Sequence, residues 1–288
     1  MTIRDDHSLA GDLATEAGER LLELRARYGF DDRQALKDAG DRAAHRFLVE
    51  ALERLRPSDA VLSEEATREE RMDPRRLAAE RVWIIDPLDG TREFGEPGRS
   101  DWAVHVALWE RVPAERGSQG SLTDPGSLTG PGPVTELGPV TAGAALTAGA
   151  VALPAQGRTL TTAKPPVLPA GPGAGERFRI AVSRSRPPEF VQKLAHLVGA
   201  DLVPIGSAGA KISAVLTGEV EAYVHAGGQY EWDSAAPVAV ALAAGAHASR
   251  IDGTPLTYNQ ADPSLPDILV SLPDLAPTLL AGIRDLHR

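Results

Sequence analysis

Trp83-Ile84-Ile85-Asp86-Pro87-Leu88-Asp89-Gly90-Thr91-Arg92-Glu93-Phe94 is the stretch on which the reading of this chain turns. A compact apolar run, residues 82–85, ends abruptly in Asp86, as a buried strand does. Pro87 fixes φ and keeps the segment out of a helix. Asp86 and Asp89 can therefore converge on one point beyond the strand end, where ligands collect in sheet proteins. Gly90 permits close backbone approach, and its N–H with that of Thr91 offers an anion cradle if a helix begins there. Two carboxylates beside such a cradle suit Mg²⁺ held between protein oxygens and a substrate phosphate. By itself, Asp-x-x-Asp-Gly fits a tight Asx turn equally well. An EF-hand is excluded, because counting back from Gly90 puts Pro87 and Ile85 where acids are required. Phosphatases that use an aspartyl-phosphate also place acids before Gly-Thr, but two residues apart. With three, strand alternation aims the side chains differently.

Outward from this element, a short strand at 60–62 ends in Ser63-Glu64-Glu65, which alone reads as a solvated turn. Residues 102–109 alternate as a longer strand, and 148–153 with 158–162 flank Gln156-Gly157 as a hairpin. Two amphipathic helices come first, over 8–28 with Ser8 as cap and over 39–55 stopped by Pro57. Asp41 lies in or just before the second. Residues 111–140 hold 6 Gly and 5 Pro and read as a surface insertion. Residues 164–177 hold 4 Pro and 3 Gly and read as a linker. It divides an N-terminal α+β unit, 1–165, from a C-terminal α/β unit, 178–288. The latter alternates strands at 179–182, 202–205, 219–224, 248–251 and 268–271 with helices at 188–198, 210–216, 234–246 and from Pro273. Within it, Tyr230-Glu231-Trp232-Asp233-Ser234-Ala235-Ala236-Pro237 sets an acid at the opening of an apolar helix, where a plain N-cap is the simplest role for Asp233.

Composition narrows the classes. The 288 residues are 42% hydrophobic and 24% charged, which is ordinary globular composition. The absence of cysteine excludes disulfides, zinc–thiolate and iron–sulfur sites and a thiol nucleophile. A net charge of −10 speaks against nucleic-acid binding by phosphate neutralisation. The charged start, Met1 to Leu13, lacks the apolar core of a signal peptide, and the most apolar stretch, 142–153, is too short to span a bilayer. A cytoplasmic protein without membrane or nucleic-acid partners is expected, and a homodimer is left open.

Together, Glu64-Glu65, Asp86-Pro87-Leu88-Asp89-Gly90-Thr91 and Trp232-Asp233-Ser234-Ala235-Ala236 resemble the inositol monophosphatase-like family of Mg²⁺-dependent, lithium-sensitive phosphatases. The resemblance runs from the first helix past Pro255. It implies an α/β, layered αβαβα sandwich with a large antiparallel sheet in the N-terminal half, a smaller α/β unit in the C-terminal half and the site between them. It implies two to three Mg²⁺ ions and inhibition by Li⁺. Glu64, Asp86 and the Leu88 carbonyl are expected to hold the first metal, and Asp86, Asp89 and Asp233 the second. Glu64 is expected to support a weaker third ion. Gly90 and Thr91 amides would hold phosphate, and the Thr91 hydroxyl, paired with Asp41, would orient and deprotonate the attacking water. The family's T-x-A-D is here Asp38-Ala39-Gly40-Asp41, so its Thr is missing.

Three details resemble the 3′(2′),5′-bisphosphate nucleotidase branch of the CysQ type. They are Arg92-Glu93-Phe94 after Asp-Gly-Thr, Val182-Ser183-Arg184-Ser185-Arg186, and Lys211 in Gly206-Ser207-Ala208-Gly209-Ala210-Lys211. The resemblance implies 3′-phosphoadenosine 5′-phosphate (PAP) as the small-molecule substrate, hydrolysed to AMP and phosphate. Ser183, Arg184, Arg186, Ser207, Lys211 and Asp233 are then expected to contact it. His225, Tyr230 and Trp232 are aromatic candidates for stacking the adenine. Inositol 1-phosphate or fructose 1,6-bisphosphate as substrate, or a metal-binding relative without turnover, remain the alternatives.

Overall fold

The computed structural model describes residues 5–111, 144–173, 175–185 and 187–286. Most of the 111–140 insertion, and Arg186, lie outside the described residues. Helices α1 (Asp6–Tyr28) and α2 (Arg33–Leu55) precede β1 (Ala60–Ser63), two short helices α3 (Arg68–Arg71) and α4 (Pro74–Ala78), and β2 (Arg81–Asp89). A single turn α5 (Thr91–Phe94), then β3 (Ala103–Glu110), β4 (Ala145–Leu153) and β5 (Arg158–Thr161) complete the first sheet, in the order β1-β2-β3-β4-β5. The second sheet, β7-β6-β8-β10-β9, is built from β6 (Arg179–Ser183), β7 (Asp201–Ile205), β8 (Ala222–Tyr230), β9 (His247–Ser249) and β10 (Ser264–Ser271). Its helices are α6 (Glu189–Val198), α7 (Ala208–Thr217), α8 (Glu231–Ala243) and α9 (Ala276–Leu286).

Strand alternation makes the layers. On β2, Trp83 and Ile85 face α1 and α2, joining Leu13, Leu21 and Leu48 in one core. Val82 and Ile84 face the other way, into a core with Ile212 and Val215 of α7 and Val238 and Ala241 of α8. The far side of that helical layer meets Ala181, Tyr223, Ile268 and Val270 of the second sheet. The opposite face of the second sheet packs Ile180, Val224 and Leu269 on α6 and α9. The expected αβαβα order is present, with the α7/α8 layer gripped by both sheets. Gly149 of β4 lets α8 approach closely, since a Cβ there would lie 2.7 Å from the Ala239 Cβ.

Several expectations need correction. The first sheet is not wholly antiparallel, because β1 and β2 run parallel. Parallel neighbours need a crossover, and residues 64–80 with α3 and α4 supply it. The second helix starts six residues early, capped by Asp32 accepting from the Ala35 N–H at 2.9 Å. Its first turns bury only Leu36, so no apolar period marks them. The first helix is capped by Asp5, not Ser8, whose own N–H is the group that Asp5 accepts. Helix α8 begins at Glu231, so Asp233 sits inside its first turn and is not the N-cap. Among the described residues no helix is long and apolar enough to cross a membrane.

One side chain on α1 organises the turn after β2. The Arg25 guanidinium donates to the carbonyls of Phe94 at 2.9 Å, Arg99 at 3.1 Å, Glu93 at 3.4 Å and Glu96 at 2.5 Å. Burial lowers its pKa. A planar fork suits this divergent set of acceptors and an ammonium does not. We expect Arg25→Ala to lower unfolding free energy by about 2 kcal/mol, as buried acceptors lose a charged donor. Arg25→Lys should recover little of it. Urea denaturation of the variants, read as midpoint and slope, checks both.

Candidate active site

A bulge in β2 creates the site. Asp86 pairs with His105 and Asp89 with Ala103, so three steps along β2 match two along β3. Without the extra residue, Asp86 and Asp89 would point to opposite faces. With it, both fall on the face that carries α7 and α8, and Pro87 stands where no ladder N–H is required. Asp233, from the first turn of α8, meets them there. Oxygens of Asp86, Asp89 and Asp233 lie within 4.8 Å of one another. Glu64, directly after β1, sits close enough to Asp86 that each carboxyl perturbs the other.

The residues around Gly90 show why the loop is tight. Gly90 has φ +86°, and a Cβ there would lie 2.8 Å from the Ser207 Cβ and 3.2 Å from the Trp102 Cβ. Helix α2 approaches just as closely through Gly40, where a Cβ would lie 2.8 Å from a Phe94 ring carbon. That approach puts Asp41 Oδ1 3.5 Å from the Thr91 hydroxyl, which also lies 3.1 Å from the Leu88 carbonyl oxygen. Asp38, standing where the family has Thr, accepts from the Gln34 amide at 2.7 Å.

The five acids sit in different environments. Burial, then the charges of Glu64, Asp89 and Asp233, push the Asp86 pKa well up. Asp86 Oδ1 accepts from the Leu88 N–H at 3.0 Å, and its Oδ2 is buried with no partner. Burial raises Asp233 to about 7, aided by Asp89, although Asp233 accepts from the Tyr230 N–H at 2.7 Å. Burial also raises Glu64 and Asp41 to about 7, the latter aided by Glu65 and Asp38. Asp89 differs. Burial pushes its pKa up, but His105, the Gly209 N–H and the Lys211 charge outweigh that and hold it low. The N–H groups of Gly209 and Ala208, opening α7, reach its carboxylate at 2.6 and 3.3 Å.

The expected substrate contacts are placed less uniformly. Ser207 caps α7, accepting from the Ala210 N–H at 3.0 Å. Lys211 is buried, not displayed: its Nζ donates to the Gly206 carbonyl at 2.5 Å and lies 5.3 Å from the Tyr223 ring centre. Arg184 is already paired, with Glu93 at 2.9 Å and Glu96 at 3.0 Å. Ser183, half-buried, ends β6 beside it. Trp232 is buried under the Tyr230 ring, 4.8 Å away and nearly parallel, and Tyr230 is 43% exposed. His225 has its Nε2 2.6 Å from the Gly227 carbonyl oxygen. Sequence reasoning misses His105, the α7 amides and Arg25. The one available signal is a lone His in an apolar strand, which needs partners when buried.

Oxygen-only donors, clustered and partly orphaned, fit a hard divalent cation. The fold and this cluster agree with a match to the model of the inositol monophosphatase family over residues 8–284, and the chain belongs to that family. It is accordingly a phosphatase. A Mycobacterium leprae protein named 3′-phosphoadenosine 5′-phosphate phosphatase is 50% identical over 285 residues, covering 98% of this chain and 94% of that protein. A Mycobacterium tuberculosis protein of the same name is 49% identical over 277 residues, covering 95% and 91%. The crystal structure of inositol monophosphatase-II from Staphylococcus aureus shares the fold, with a TM-score of 0.69 at 21% identity over 97% of this chain and 95% of that one.

The raised carboxyl groups make a pH prediction for the metal-free chain. An acid whose folded pKa lies above its unfolded value adds stability below the unfolded value, near pH 4, and loses it as pH rises through the folded one. Asp41, Glu64 and Asp233 place that loss near pH 7. With chelator present, Tm should therefore fall between pH 5 and pH 8. Asp86→Asn should raise the chelated Tm at pH 8, by relieving like-charge repulsion. A flat Tm across this range would contradict the electrostatic reading.

Proposed function

We propose that this chain removes the 3′-phosphate of 3′-phosphoadenosine 5′-phosphate, giving AMP and phosphate, with Mg²⁺ as cofactor. The observation that carries the substrate is the half-identity, over nearly the whole chain, to mycobacterial proteins named for that activity. The observation that carries the chemistry is the Asp86, Asp89 and Asp233 cluster with its orphaned oxygen. These three would hold divalent cations, with Glu64 and the Leu88 carbonyl contributing, and two to three ions are expected. Bound there, such cations would neutralise phosphate oxygens and acidify water.

The chain's own residues do the rest. Gly90 and Thr91 present backbone N–H groups where the phosphate is expected. The Thr91 hydroxyl and Asp41 orient the attacking water, and Asp41 accepts its proton, directly or through Thr91. Its pKa of about 7 suits a base working near neutrality. Water oxygen bonds to phosphorus, the bond from phosphorus to O3′ breaks, and O3′ takes up a proton. Tyr230, its exposed ring backed by Trp232 and its N–H on Asp233, is the aromatic surface offered to the adenine. Arg184, with Arg186 and Ser183, is proposed to recognise the second phosphate, whereas Lys211, buried on the Gly206 carbonyl, lends its charge to Asp89. For Arg184 this requires sharing its guanidinium with Glu93 and Glu96.

Phosphate release should be measured over PAP, inositol 1-phosphate and fructose 1,6-bisphosphate, with Mg²⁺ and with chelator. PAP should give the highest kcat/KM, and chelator should abolish turnover. LiCl should inhibit where NaCl at equal ionic strength does not, since screening alone would act equally. A preference for inositol 1-phosphate would overturn the substrate assignment and leave the phosphatase intact.

A further inference from the structure

The acids of the cluster belong to segments far apart in sequence, one on β2 and one on α8. One imidazole touches both. His105, fully buried on β3, lies across the ladder from Asp86. Its Nδ1–H donates to the Trp232 carbonyl at 2.9 Å, one residue before Asp233. Its Nε2 lies 3.2 Å from Asp89 Oδ2. Helix α7 closes the contact from a third side. A Cβ on Gly209 would lie 2.0 Å from His105 Nε2 and 3.1 Å from Asp89 Oδ2, so only glycine lets the Gly209 N–H reach the same carboxylate.

We infer that His105 is a positioning residue that sets the separation of Asp89 and Asp233, and thereby the shape of the cation site. This rests on the reading that these acids hold cations. Imidazole has the length to span from the Trp232 carbonyl to the Asp89 carboxylate with two ring nitrogens at opposite edges. A group held against a ligating carboxylate from outside the ligand set fixes its orientation, and losing such a partner typically costs ten- to a hundredfold in metal affinity or activity. The contact needs no charge on the substrate, so it serves any phosphate ester equally.

The test uses the full chain with His105→Phe, His105→Asn and His105→Gln. Mn²⁺ binding without substrate is read by electron paramagnetic resonance, and half-saturating Mg²⁺ and kcat are read in phosphate release. His105→Phe should weaken Mn²⁺ binding about tenfold or more and raise half-saturating Mg²⁺ in step. Kcat at saturating Mg²⁺ should fall less. Gln is long enough to reach Asp89 and should recover much of the affinity. Asn can reach only the Trp232 carbonyl and should not. If His105→Phe fails to fold, the Gln and Asn variants decide by themselves. Wild-type Mn²⁺ affinity in a folded Phe or Asn variant, or equal loss in Gln and Asn, overturns the positioning role. Wild-type protein that binds no Mn²⁺ overturns the cation reading and this inference with it.

Discussion

Like charges in a water-poor pocket repel, and this protein holds Asp86, Asp89, Asp233 and Glu64 together regardless. The bulge in β2 forces the first two to one side, and the opening turn of α8 delivers the third. Glu64, Asp89 and Asp233 push the Asp86 pKa upward, and Asp89 and Glu64 that of Asp233, on top of the cost of burial. The surrounding architecture is legible as compensation for that repulsion. Both sheets grip the α7/α8 layer, so the acids have no freedom to drift apart.

The compensation is uneven, and the unevenness has chemical meaning. Asp89 is surrounded by two amide donors at the start of α7, the His105 ring 3.2 Å away and the nearby Lys211 charge. Asp86 receives one amide and keeps an oxygen without a partner. The first acid is held ionised and fixed. The second is left wanting positive charge, with an oxygen open to a hard cation. Asp41 stands apart from both, tied to the cluster through Thr91 and poised near neutrality.

Contacts between the two halves converge on the loop after β2. Arg25 gathers its carbonyls from one side. From the other, Glu93 takes Arg184, and Asp101 accepts from the Gly206 N–H at 2.7 Å. Ser207 packs so close to Gly90 that neither loop can carry a bulkier backbone. The Arg92-Glu93-Phe94 element therefore does structural work. Its glutamate, through Arg184, binds the second half to the loop after β2.

The family, the layer order and the principal acids are legible in sequence because they reside in short contiguous motifs. An apolar run stopped by Asp-Pro, and an acid opening an apolar helix, are local patterns that survive without coordinates. The helix starts at Arg33 and Glu231 are not legible, because caps and solvated first turns carry no apolar period. The parallel pairing of β1 with β2 is hidden because register is a property of two strands, not one. Lys211 and Arg184 read as basic groups open to substrate, and only the folded chain shows one buried on Gly206 and the other paired with two glutamates. His105 joins Asp89 to Trp232 across 16 and 127 positions, respectively. No local pattern encodes such a contact. Residue type and spacing determined which groups this protein can use, and tertiary packing decided which of them meet, because burial and distance set their charge and partners.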